Sequence, residues 1–64
     1  MKKGDIVLLR KAIGRFNPGC KGKVINIGND NAADVILFEF QNGETINPEV
    51  QLPPVSTEYF TVCN

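Results

Sequence analysis

The stretch Phe16-Asn17-Pro18-Gly19-Cys20-Lys21-Gly22-Lys23-Val24 sets a Pro-Gly pair, two further residues and a second glycine directly before an apolar run. Proline presets a turn dihedral and glycine takes positive φ at no steric cost, so Pro18-Gly19 reads as a tight turn. Gly22 then opens a strand at a point where a side chain would crowd a crossing chain, expected to be the first strand. A turn that delivers the chain straight into a strand is a corner of a small β structure.

The flanks agree. Upstream, Ile6-Val7-Leu8-Leu9-Arg10 has strand composition, and residues 11 to 21 read as a long loop broken by Gly14, Pro18 and Gly19. Downstream, Lys23 to Ile27 is a second strand, and Gly28 to Ala33 is a turn of residues that tolerate left-handed backbone. Asp34 to Gln41 is the clearest strand. Asn42-Gly43 follows as a two-residue hairpin signal that calls for positive φ twice, with Glu44 to Asn47 returning. Pro48 to Leu52 reads as one tight turn of 3₁₀ type, Pro53-Pro54 as a stop, and Glu58 to Cys63 as a fifth strand. No helical period is sustained anywhere. Short strands between turn signals indicate an all-β chain, and at this length a closed barrel protects its edges best.

Alternation assigns the faces. In the third strand Ile36, Phe38 and Phe40 share one side and Val35, Leu37 and Glu39 the other; the aromatic side is expected to be the core. Val7, Leu9, Val24 and Ile46 are expected to meet it, with a bulge letting both Val24 and Ile27 point in. Ile6, Leu8, Val35 and Leu37 would then face partly outward. They would be covered either by the C-terminal segment carrying Tyr59 and Phe60, which is the favoured reading, or by a second copy of the chain.

Sixty-four residues make one domain, residues 1–64, with a marginal core. The apolar run Ile6 to Leu9 is too short for a signal-peptide core or a membrane span, so a soluble, cytoplasmic protein is expected. Cys20 and Cys63 read first as free thiols; a bond between them is the alternative. The chain has no histidine and no CxxC spacing, so neither a metal site nor a cofactor is expected. The formal net charge is zero, but all seven basic residues lie within the first 23 positions, while six of the seven acids lie after position 29. Such a split marks either a face for an acidic partner or opposite charges pairing across a sheet.

The pattern Lys3-Gly4-Asp5-Ile6-Val7-Leu8-Leu9, a loop, Pro18-Gly19-Cys20-Lys21-Gly22-Lys23-Val24, then Phe38-Glu39-Phe40-Gln41-Asn42-Gly43 and Ile46 with Pro48 and Leu52 resembles the small SH3-like barrels. The likeness covers residues 3 to 52. KOW-type domains look similar from Gly4 to Val24. The E-type accessory protein of the photosystem and the variable chain of ferredoxin–thioredoxin reductase look similar in the corner and the late Pro-to-Leu turn. Small phage-borne and bacterial SH3-like domains look similar through the hairpin. The resemblance implies a small five-stranded SH3-like barrel with a 3₁₀ turn before the last strand. Its acidic second half departs from the strongly basic ribosomal KOW domains.

The same resemblance implies a non-catalytic accessory or binding module. Its expected partner is a protein, and Arg10, Lys11, Arg15 and Phe16 in the first loop would border the ligand groove. The alternative is RNA or DNA binding through the basic third, with Lys2, Lys3, Lys21 and Lys23 beside Arg10, Lys11 and Arg15 contacting phosphates and Phe16 stacking a base. An enzyme is not expected. One SH3-like barrel, a plasmid-borne dihydrofolate reductase, works as a multi-copy pore, but nothing here matches its active-site residues. Asp5 reads as a turn residue. The chain is expected to be a monomer or a homodimer.

Overall fold

A computed structural model describes residues 1–63. The elements are β1 (Ile6–Leu9), β2 (Lys21–Ile27), β3 (Ala32–Glu39), β4 (Thr45–Gln51), β5 (Val55–Ser56), a 3₁₀ turn at Thr57–Tyr59 and β6 (Phe60–Val62). They form one antiparallel sheet in the order β4-β3-β2-β1-β6, with β5 also on β3. The fold is all-β, as the turn signals and the lack of a helical period indicate. The sheet is open, with six strands in place of the expected five. The extra one arises because Leu52 to Pro54 interrupt the chain as it runs along β3: β4 pairs with its far half and β5 with Ala32 and Ala33.

The C-terminal segment does not lie across the outside of the sheet. β6 pairs with β1 at Val7–Val62, Leu8–Thr61 and Leu9–Phe60, which extends the sheet and turns Phe60 into the core. The expected cover of Tyr59 and Phe60 over the outer apolar residues is therefore corrected.

The face assignment of β3 is corrected too. Ala33, Val35 and Leu37 are buried beside Val7, Leu9, Val24, Ile46, Leu52 and Phe60, while Ile36 and Phe38 lie outside this cluster. Phe40 alone of the expected aromatic face packs against the core. The reason is a bulge. Lys21 pairs with Glu39 and Gly22 with Leu37, so Phe38 is an extra residue on β3 and the alternation shifts by one beyond it. On β2 the expected bulge is present between Val24 and Asn26, and Ile27 packs against the core with Val24.

Pro48 to Leu52 is strand as far as Gln51, not a 3₁₀ turn. Two steps on β3, from Leu37 to Glu39, match five on β4, from Val50 back to Thr45. The irregular stretch holds Pro48 behind a cis Asn47–Pro48 bond. A proline without an N–H is tolerated there because β4 is an edge strand and the ladder is already broken. The 3₁₀ turn does precede the last strand, but at Thr57–Tyr59, where Ser56 Oγ accepts from the Glu58 amide at 3.3 Å.

Two turns meet at one end of the sheet. In the first loop Ile13 and Phe16 exchange backbone hydrogen bonds of 2.9 and 2.8 Å around Gly14-Arg15, with Gly14 at φ 55°. In the hairpin, the Phe40 amide donates to the Glu44 carbonyl at 2.7 Å and the Gly43 amide to the Phe40 carbonyl at 3.0 Å. This is a three-residue loop with a bulge at Gly43, φ 87°; Asn42 stays at ordinary φ, so the two-residue turn is corrected. At the other end Asp5 is a turn residue, its Oδ2 accepting from the Lys2 amide at 2.9 Å.

Candidate functional site

The corner and the hairpin form a cleft. Gly19 has φ 105°, as the Pro-Gly pair requires, and its amide donates to the Leu9 carbonyl at 2.8 Å. A Cβ on Gly19 would stand 3.2 Å from Cβ of Gln41. The glycine thus supplies both the left-handed turn and the closeness of corner to hairpin. Gly22 is equally restricted, but by β3: a Cβ there would lie 2.8 Å from Val35 Cγ1 and 2.9 Å from the Ile36 carbonyl oxygen. The crowding neighbour is the third strand, where the first is expected from sequence.

The cleft, about 210 Å³ in volume, is lined by Arg15, Asn17 and Cys20 from the corner and by Phe40, Gln41, Asn42 and Glu44 from the hairpin. Its floor is aromatic. Phe16 and Phe40 stack with ring centroids 6.2 Å apart and planes at 26°. Phe16 is only 6% exposed, so it supports the floor while Phe40 meets the surface. The Arg15 guanidinium sits 5.1 Å from the Phe16 centroid. That contact holds the charge at the rim and contributes about 0.5–1 kcal/mol at an exposed site. Asn42 Oδ1 accepts from the Glu44 amide at 3.2 Å, which ties the hairpin tip. The result is a guanidinium, a carboxylate, three amide side chains and a ring around one small hollow. Such a set can hold a polar side chain and a short apolar one together.

The other expected contact residues do not join it. Arg10 is exposed at the end of β1, its amide donating to the Tyr59 carbonyl, and Lys11 lies with Nζ 5.3 Å over the Tyr59 ring. Lys21 and Lys23 point outward from β2. Lys21 Nζ is 3.5 Å from Glu39 Oε1, the sole ion pair among the described residues. Both groups are about one-third exposed, so the pair is worth no more than about 1 kcal/mol. Widespread pairing of the basic third with the acidic remainder is not what the fold does. Cys20 is buried and Cys63 exposed, both free thiols. Among the described residues no cluster of three potential metal ligands occurs, and no helix is long and apolar enough to cross a membrane.

Of the residues lining the cleft, only Arg15 is expected as a contact from sequence; Phe16, also expected, lies buried beneath it. Asn17, Cys20, Phe40, Gln41, Asn42 and Glu44 escape that reading. The usable signal is the presence of two Gly-containing turns, which bring residues distant in sequence to one end of a sheet. Comparison with known proteins gives no match to a family model, to a curated protein or to a solved structure. The chain is thus defined by its fold and cleft: a small, open, antiparallel β-sheet protein.

Proposed function

We propose that the chain is a non-catalytic binding module of SH3-like plan, which takes side chains of a protein partner into the cleft between corner and hairpin. Supporting the plan are the Pro18-to-Val24 corner and the succession of β4 and β5 along β3, which amount to one interrupted strand. The observation that carries the binding reading is the cleft itself. At about 210 Å³ it is smaller than the roughly 300 Å³ at which small-molecule pockets begin. A hollow of that size, with an arginine, a carboxylate, amides and a ring, suits one or two protruding side chains of a larger surface. The non-catalytic part of the reading rests on composition, since a chain without histidine lacks the usual general base. A cytoplasmic setting goes with this proposal.

The alternative, a KOW-like nucleic-acid-binding domain, draws on exposed Lys23 and the N-terminal lysines. It is the weaker reading because Phe16, its one stacking residue, is buried.

The test is capture from native extract on the immobilised chain, with and without nuclease, beside Arg15→Glu and a Lys21→Glu/Lys23→Glu variant. Protein capture that resists nuclease and is lost with Arg15→Glu is expected. Recovery of nucleic acid alone, lost with the lysine variant, would favour the alternative and defeat the protein-partner reading.

A further inference from the structure

The sheet has a second face that the cleft does not use. On it the register aligns Ile6 of β1 with Lys23 of β2 and Ile36 of β3, and Leu8 with Lys21 and Glu39 in the next row. Ile6, Leu8, Ile36 and Phe38 are only partly buried, and none belongs to the core cluster or packs against it. β6 extends the sheet edge and leaves this strip uncovered among the described residues. Asp34 lies on the same side of β3, two residues from Ile36, about 7 Å along the strand.

We propose that this face is where two copies of the chain pair, sheet against sheet, about a twofold axis. Two features of the molecule select a second copy as the occupant. First, the face carries both signs. Lys21 and Glu39 satisfy each other, which leaves Lys23 and Asp34 without an ion-pair partner among the described residues. A twofold rotation that sets Lys23 of one copy over Asp34 of the other sets the reciprocal pair as well, so one operation makes both contacts. Second, a formal net charge of zero removes long-range repulsion between copies. A standard interface takes about 800 Å² from each partner. That is about a fifth of this molecule's 4095 Å² surface. None of the cleft residues is part of this face, so pairing and cleft binding are independent of each other.

The experiment is sedimentation equilibrium of the full chain from about 1 to about 100 μM, the weaker part of the affinity range for interfaces of this size. The wild type, Lys23→Asp, Asp34→Lys and the double swap Lys23→Asp/Asp34→Lys are compared, each with its far-UV spectrum as a folding control. A wild-type dimer is expected. Each single reversal places like charges opposite one another twice and should weaken dimerisation at least about tenfold. The double swap restores the opposed signs and should restore the dimer, a result that loss of folding could not give. A wild type that stays monomeric throughout would overturn the proposal. So would single reversals that dimerise as the wild type does, because pairing would then use another surface.

Discussion

Gly19 and Gly22 stand three residues apart in the corner and answer to different neighbours. Gly22 faces β3, where an added methyl would come within 2.9 Å of a backbone oxygen that cannot move freely. Gly22→Ala is expected to cost about 1–3 kcal/mol, read as a lower urea midpoint at unchanged slope. A neutral result would mean that β2 and β3 leave room for a side chain between them. Gly19 faces Gln41 and holds φ 105°. Gly19→Ala is expected to cost about 1–2 kcal/mol from the backbone alone and to weaken partner capture as it pushes the hairpin away. If capture survives unchanged, the cleft is not where the partner sits. The need for glycine at both positions is legible in PGxxG, because positive φ and close approach have local signatures. What each glycine approaches is not legible, since Val35 and Gln41 are distant in sequence and arrive only with the fold.

At the scale of the element, β3 teaches most. Both of its faces are apolar, so alternation divides Asp34 to Phe40 into two sets without saying which is inside. Ring size favours Ile36, Phe38 and Phe40; the fold instead buries Ala33, Val35 and Leu37 and places its extra residue at Phe38. The small alanine and valine allow the strands to approach, and Gly22 packs directly against Val35 and Leu37. Leu37→Ala is expected to lose about 2–5 kcal/mol in chemical unfolding, and Phe38→Ala much less in a dilute monomer. Equal losses would contradict the assignment. The second half of β4, Pro48 to Gln51, is hidden from sequence reading for a related reason, while its first half is read as the returning strand. Pro48 fits the first position of a helical turn equally well as an irregular edge strand, and only the partner strand decides between them. The 3₁₀ turn at Thr57–Tyr59 does carry a local mark, Ser56 as its cap, within a segment that reads as loop running into strand.

For the whole molecule, the strand class and part of the core are legible. Val7, Leu9, Val24 and Ile46 are buried as expected, whereas Val35, Leu37 and Phe60 are read to the wrong side. The cleft is legible in Arg15 at its rim and Phe16 beneath its floor, and the outer strip only as a surplus of apolar residues needing cover. Where the C-terminal segment goes is decided by the free edge of β1, whose backbone groups gain partners from β6, and no residue pattern announces that choice.

The binding cleft and the paired faces both depend on which side of the sheet is inside. A soluble paramagnetic agent added to a dilute, methyl-labelled sample tests this most directly. Strong relaxation of the Ile6, Leu8 and Ile36 methyl groups is expected, with Leu9, Leu37 and Ile46 protected and the first group becoming protected as concentration rises. Strong relaxation at Leu37 with protection of Ile36 at every concentration would contradict it.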